Sequence, residues 1–207
     1  MADLLTDTAS HQCVIDIETT GLPECERLLS GDYTSYRDLS KFDSCRLVQL
    51  SWLILDSNFN ELERQSYIVK PINFSVAPVS TLKSHGITHK HAMERGVCFS
   101  DIVQKLDMTL SKCSRLIGYN LDFNRNVVMS ELFRGQHYTT LEKVGLMDEY
   151  CIMMRGKELL GVFKAPSLRD LTRTFLSEEE NDTKLGCCAK IYKMFEHPLE
   201  KKVNSML

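Results

Sequence analysis

Two acidic residues separated by one position, Asp16 and Glu18, end the apolar run QCVIDIE (12–18). Side chains alternate along a β-strand, so carboxylates with this spacing point to the same side. Carboxylate oxygens are the ligands that hard divalent cations such as Mg²⁺ and Mn²⁺ prefer. Two such ions can activate a water and stabilise the leaving oxygen of a phosphodiester. The spacing therefore indicates a hydrolytic metal site, although two solvated acids at a strand end show the same pattern.

A second candidate segment, GYNLDF (118–123), spans the end of a short apolar strand and the start of a helix. Asp122 falls in the first turn of that helix, where the helix dipole favours a carboxylate. The same position suits an acid that merely stabilises the helix start. Taken alone, this segment is a weak indication of a metal ligand.

Together these segments match a known family. VIDIETTGL (14–22) resembles the first motif of DnaQ-like (DEDD-superfamily) 3′→5′ exonucleases, and IGYNLDFNRNVV (117–128) resembles the second. Between them, SHGIT (84–88) resembles the family's short His-Gly-Ile-Thr element. The segments occur in the family's order, and the resemblance spans about residues 12–195.

The resemblance implies specific roles in this chain. Asp16, Glu18 and Asp122 would be catalytic ligands of two Mg²⁺ or Mn²⁺ ions. The substrate would be the 3′ end of single-stranded DNA or RNA, held near the backbone of the TTGL turn (19–22). The residues expected to contact this substrate are Thr19, Gly21, Leu22, His85 and Asn120. For His85 the alternative is that it only caps its loop.

The third motif of the family departs from the pattern here. It normally provides a His as general base and, after four intervening residues, an Asp as the fourth metal ligand. The three possible registers offer Glu179 with Lys184, Asn181 with Gly186, and Ser177 with Asp182. No register provides both groups; Asp182 is the expected replacement ligand, and Glu179 is the alternative. Loss of a general base typically costs about 10²–10⁴ in rate.

Three functions therefore compete. The first is a metal-dependent 3′→5′ exonuclease whose third motif has been replaced. The second is a degraded exonuclease fold that acts as a nucleic-acid-binding or protein-scaffold module, which leaves a protein partner open. A different hydrolase on the same fold, such as a ribonuclease-H-like endonuclease, is third, because the TTGL and SHGIT segments favour the exonuclease branch.

The elements that must position these residues follow the order β-β-β-α-β-α-α. The segments 46–56 and 61–71 predict a hairpin at a sheet edge, and later segments predict helices over 75–84, 100–110, 121–133, 168–176 and 184–195. The predicted fold is an α/β domain of ribonuclease-H-like type, with a mixed central sheet flanked by helices. We expect one domain over 12–196, an exposed insertion loop over 24–46, and tails over 1–11 and 197–207.

Composition limits the remaining possibilities. The 207 residues include 43% hydrophobic and 26% charged residues, typical of one globular domain. The net charge of −3 argues against a protein that grips a long duplex. The sequence shows neither a secretory signal nor an apolar stretch long enough for a membrane helix, so we expect an intracellular protein of the cytoplasm or nucleus, with no membrane partner. The eight cysteines lack zinc-site spacing and are expected to be free thiols.

Overall fold

The centre of the molecule is a mixed five-stranded sheet with the strand order β3-β2-β1-β4-β5. The structure is a computed structural model and describes residues 11–24, 34–76, 85–176 and 182–196. The strands are β1 His11–Thr19, β2 Leu47–Leu55, β3 Glu61–Ile68, β4 Cys113–Gly118 and β5 Asp148–Cys151.

Strand β1 lies in the middle of this sheet. It pairs antiparallel with β2 on one side and parallel with β4 on the other. The predicted hairpin is confirmed, since β2 and β3 pair antiparallel and β3 forms one edge. Its turn is stabilised by Asp56, whose carboxylate accepts hydrogen bonds from the backbone N–H groups of Asn58 and Asn60, both at 2.8 Å.

Seven α-helices are described around the sheet. They are α1 His89–Arg95, α2 Phe99–Leu110, α3 Leu121–Arg134, α4 Tyr138–Leu146, α5 Ile152–Leu160, α6 Leu168–Leu176 and α7 Lys184–Glu196. Ser167 caps α6: its Oγ accepts from the Asp170 N–H at 3.1 Å, and the Asp170 carboxylate accepts from the Ser167 N–H at 3.0 Å. The mixed α/β fold with flanking helices is confirmed.

The helices cover both faces of the sheet, and the alternation along β1 decides which face each residue joins. Cys13, Ile15 and Ile17 pack into a core shared with α2, α3 and α4. Val14 packs into the opposite core, which α6 and α7 complete. Asp16 and Glu18 have the parity of Val14, so they lie on the α7 side, where the apolar core ends.

The prediction of an exposed loop over 24–46 is wrong in part for residues 34–46, which are largely irregular but contribute buried side chains. A 3₁₀-helix forms at Leu39–Phe42, and the side chains of Phe42 and Cys45 are fully buried. Thr20 ties this segment to the end of β1, because its Oγ1 donates to the Ser44 carbonyl and accepts from the Arg46 N–H. An apparently irregular stretch thus contributes to the core.

Several elements were not predicted, or lie outside the described residues. Strand β5 and helices α1, α4 and α5 were missed, and β1 already begins at His11 within the predicted tail. Most of the predicted helix over 75–84 and both tails, 1–10 and 197–207, lie outside the described residues. The seven described cysteines are free thiols. Among the described residues, no helix is long and apolar enough to cross a membrane.

Candidate active site

A cavity of about 380 Å³ opens where β1 and β4 end. It collects several of the predicted residues, since Asp16, Glu18, Thr19, Gly21, Leu22 and Asn120 all line it. The other lining residues come from β1, the Tyr119 region, α3, α6 and α7: Ile17, Tyr119, Phe123, Asn124, Leu168 and Lys184. The two carboxylates of β1 and the predicted substrate contacts of the TTGL turn therefore share one site.

Lys184 dominates the electrostatics of this site. Its Nζ lies 2.5 Å from Oε1 of Glu18 and 3.9 Å from Oδ2 of Asp16. Burial alone would lower the pKa of the Lys184 ammonium, but the attraction of both carboxylates outweighs it and the pKa is raised. The lysine therefore stays charged, and its ammonium lies against the two carboxylates.

Asp16 responds to the same surroundings. Burial raises the pKa of its carboxyl to about 6; the Lys184 ammonium opposes that rise, and the Glu18 carboxylate adds to it. Burial thus acts on Asp16 more strongly than the ion pair does. The site holds two acids that a single ammonium balances in part.

The start of α7 fixes the position of Lys184. Thr183 caps this helix, since its Oγ1 accepts from the Gly186 N–H at 3.2 Å. Leu185 and Cys188 are buried in the core on this side of the sheet, which sets the rotation of the helix. A lysine in the first turn opposes the helix dipole. The attraction of Asp16 and Glu18 offsets that cost.

The structure does not bring Asp122 to the carboxylates. Asp122 is exposed, whereas Asn124 lines the cavity and is only 4% exposed. Residues two apart on an α-helix point in directions about 200° apart, so only one of the two can face inward. The Asn124 Nδ2 donates to the carbonyls of Tyr119 at 3.3 Å and Ile15 at 3.5 Å. The expectation that Asp122 joins Asp16 and Glu18 is therefore wrong, and an uncharged amide takes its place.

Asp182 is also engaged elsewhere. Its carboxylate forms ion pairs with Lys190 at 3.3 Å and Arg64 at 3.8 Å, and it accepts from the Thr183 N–H at 2.7 Å. Burial works against ionisation, but the Thr183 hydrogen bond and the Lys190 ammonium lower the pKa of Asp182 overall. Asp182 thus anchors the start of α7 to β3 and does not line the cavity. Glu179, Asn181 and Ser177 lie outside the described residues.

His85 does not line the cavity either. Its Nδ1 accepts from the Ile87 N–H at 3.0 Å, and its Nε2 is buried without a partner within the described part of the chain. The imidazole therefore closes the local turn of the SHGIT segment. A direct contact between His85 and a ligand in the cavity is not supported.

A smaller cavity of about 230 Å³ adjoins the opposite side of Lys184. Gln49 and Ser51 face it from β2, where they pair in register with Glu18 and Asp16. Arg64 completes it from β3 and donates from Nη1 to Thr183 Oγ1 at 2.7 Å. Sequence reasoning missed these residues, yet strand register places their side chains on the face of the two acids.

The lip of the main cavity is shaped by the TTGL turn. Leu22 is 75% exposed at the lip, and Ser44 Oγ donates to its carbonyl at 2.9 Å. A Cβ at position 21 would lie 2.8 Å from the Ser44 carbonyl oxygen, so this close approach requires Gly21. Asn120 takes a left-handed conformation (φ 53°) directly before α3. At Gly21 and at Asn120, these backbone conformations bring the main chain close to the cavity.

Solved structures of exonuclease I share this architecture. The product-bound structure of exonuclease I superposes with a TM-score of 0.65 and 17% identity, covering 90% of this chain and 43% of that chain. E. coli exonuclease I in complex with a dT13 oligonucleotide superposes with a TM-score of 0.65, and its complex with a dA16 oligonucleotide with a TM-score of 0.66. Both are 18% identical to this chain, and each match covers 90% of this chain and 41% of that chain. The fold of this chain is therefore that of the matched part of exonuclease I.

This likeness confirms the ribonuclease-H-like fold that the motifs predict. This chain spans less than half the length of the exonuclease I chains it matches. No family model matches the chain, and no curated protein matches it. The identity is low, so the likeness establishes the fold alone.

The fold implies divalent metal ions, but the residues of this site do not fit them. Within the described residues, no group of three or more His, Cys, Asp or Glu side chains could hold a metal ion. Two carboxylates remain, Asp16 and Glu18, and the Lys184 ammonium already lies against them. Mg²⁺ demands near-ideal coordination by oxygen ligands, which this set of side chains does not offer.

Proposed function

We propose that this protein binds the 3′ end of a single-stranded nucleic acid in the main cavity and holds it without hydrolysing it. The observation that carries this proposal is the ion pair of the Lys184 ammonium with Glu18, beside Asp16. Of the functions that the sequence left open, this placement favours the nucleic-acid-binding module over the exonuclease.

The absence of hydrolysis follows from the charges at the site. Two-metal hydrolysis needs carboxylates that hold both ions around the scissile phosphate. Here the second-motif position that faces the cavity is Asn124, an amide, and the third-motif position holds Lys184, a cation. A lysine that lies against the two remaining acids competes with any divalent ion for them.

Binding is supported by what the cavity still offers. Leu22 and Phe123 present apolar surface on which a terminal base can pack, and Tyr119 adds an aromatic ring. An ammonium has three donors, so Lys184 can satisfy Glu18 and still donate to a phosphate or hydroxyl oxygen of the ligand. Because the cavity lies at the end of a buried strand and the chain is acidic overall, a strand end fits it better than a long duplex.

The test is a binding and cleavage assay on the same samples. A dT13 oligonucleotide with a 5′-fluorophore reports binding by polarisation, once in EDTA and once with Mg²⁺ or Mn²⁺. We expect equal affinity in both conditions, full-length oligonucleotide on a denaturing gel, and no competition from a circular single strand, which has no 3′ end.

Two variants with the same change of charge distinguish binding in the cavity from nonspecific electrostatic attraction. Lys184→Glu should weaken binding of dT13, because it removes the ammonium and adds a charge beside two acids. Lys193→Glu makes the same change at an exposed position near the end of α7 and should bind like the unaltered protein. Metal-dependent shortening from the 3′ end, lost in Asp16→Ala, would show an active exonuclease and overturn the proposal.

A further inference from the structure

An exposed phenylalanine lies on the loop between α5 and α6, which leads into the cavity-lining residue Leu168. Phe163 is 99% exposed, so the described residues bury almost none of its ring. Helix α5 ends at Gly161 in a left-handed conformation (φ 62°), which turns the chain outward. The loop is nevertheless held in place, because the Tyr119 hydroxyl donates to the Pro166 carbonyl at 2.8 Å.

This anchor sets the distance between the ring and the cavity. Tyr119 lines the cavity, and so does Leu168, the first residue of α6. Phe163 and Pro166 are three positions apart in the sequence, so their Cα atoms are at most about 11 Å apart. A strand that leaves the cavity on this side would therefore meet Phe163 within a short length.

The surrounding segment carries the charge that such a strand requires. Residues 152–176 contain five basic and two acidic residues, in a chain whose net charge is −3. Both acids are already engaged, since Glu158 pairs with Arg155 at 3.1 Å and Asp170 accepts from the Ser167 hydroxyl at 2.6 Å. The Lys157 ammonium lies 5.9 Å from the centre of the Phe163 ring.

We infer that Phe163, with Lys157 and the exposed Lys164, forms a stacking platform for a base upstream of the 3′ nucleotide. This inference rests on the proposed function of the cavity. Aromatic rings stack on any base, because each base presents a π-face, and neighbouring lysines attract the phosphates that follow. The platform therefore contributes affinity for a single strand without selecting its sequence.

The test compares Phe163→Ala with Phe163→Trp, and Leu146→Ala serves as the matched control. Leu146 is also highly exposed, at 78%, but it lies by Cys113, at the opposite end of β4 from the cavity. We expect Phe163→Ala to weaken dT13 binding about tenfold, while Phe163→Trp and Leu146→Ala bind as before. A thymidine dinucleotide, which fills the cavity alone, should bind Phe163→Ala and the unaltered protein equally.

The tryptophan variant gives a readout specific to stacking. The only natural tryptophan, Trp52, is fully buried, so quenching of a tryptophan at position 163 by dT13 reports base stacking there. Equal dT13 affinity in Phe163→Ala, with weakened binding in Lys184→Glu, would overturn the platform and leave the cavity proposal intact. Failure of the unaltered protein to bind dT13 at all would overturn both. Melting temperatures close to that of the unaltered protein show that the variants fold.

Discussion

The ammonium of Lys184 lies 2.5 Å from a carboxylate oxygen of Glu18, across 166 residues of sequence. The contact joins the first turn of α7 to the end of the central strand β1. It also places Lys184 within 3.9 Å of Asp16, so one cation serves two acids. The fold thus places a positive charge against the two carboxylates of the first motif.

The first prediction concerns the pKa of Asp16. Lys184→Met should raise this pKa above its value of about 6, because the ammonium lowers it while burial and Glu18 raise it. Carboxyl chemical shifts followed by NMR through a pH titration measure the change. Lys190→Met, on the same helix but paired with Asp182, should leave the pKa of Asp16 unchanged.

The same pKa gives the stability of the fold a defined dependence on pH. The folded-state pKa of Asp16 lies above its ordinary value of 3.8, so the folded state binds the proton more tightly than the unfolded state. This contribution to stability is fully present below about pH 4 and is lost as the pH rises through about 6. In Asp16→Asn, urea unfolding should no longer show this loss. An unchanged pH profile in that variant would contradict the assignment.

A second prediction is that two substitutions create a metal site. Asn124→Asp combined with Lys184→Asp would give the cavity four carboxylates, two on β1 and one on each of α3 and α7. Mn²⁺ should then raise the melting temperature of the double variant, because a ligand that binds only the folded state stabilises it. The unaltered protein should show no such shift. Asp122→Ala should behave like the unaltered protein, since Asp122 faces solvent.

A third prediction concerns the buried ion pair that holds the 34–46 segment. Glu131 accepts from Arg46 Nε at 2.6 Å and Nη2 at 3.1 Å, and the two side chains are 9% and 11% exposed. Glu131→Ala should lower the free energy of unfolding by about 3 kcal/mol, because it leaves a buried guanidinium unpaired. Glu61→Ala, which breaks a pair on the surface, should cost less than about 1 kcal/mol. Urea denaturation compares the two, and equal losses would contradict this distinction.

A fourth prediction uses a pair of glycines. A Cβ at Gly96 would lie 2.2 Å from the Ala92 carbonyl oxygen and 2.7 Å from the Cα of Lys70, both backbone atoms. Gly96→Ala should therefore destabilise the protein by about 1–3 kcal/mol. At Gly145, inside α4, a Cβ would lie an ordinary 3.6 Å from Met129 Cε, and Ala there should stabilise the protein by about 0.5–1 kcal/mol. In thermal unfolding, the melting temperature should fall in Gly96→Ala and rise in Gly145→Ala.

Local sequence pattern predicted much of the fold. The apolar run into Asp16, the two strand-like runs around the turn SNFN (57–60) and the amphipathic α2 each carry a local signal, so their type and approximate bounds could be predicted. Strand β5 could not, because DEYC is short, half polar and exposed in part. It becomes a strand only because β4 offers a parallel partner, which is a tertiary effect.

The candidate site was predictable on the sheet and less so on the helices. The positions of Asp16 and Glu18 follow from strand alternation. On α3, the family-like appearance of the segment pointed to Asp122, although helical spacing puts Asn124 on the buried face with Leu121 and Val128. The contact of Lys184 with β1 depends on how α7 packs, which no local pattern reports.

Strand β1 pairs with β4 only over residues 11–14 but with β2 over residues 12–19, so the pairing with β2 holds the backbone of Asp16 and Glu18 in place. Asn124 and Lys184 come from helices whose side chains reach the same point from outside the sheet. The chemical character of the site can therefore be exchanged through single side chains on α3 and α7 while the sheet stays intact. The sheet positions the backbone of the site, whereas helix side chains set its chemistry. A protein that cleaves nucleic acid and one that only binds it can therefore share the same fold.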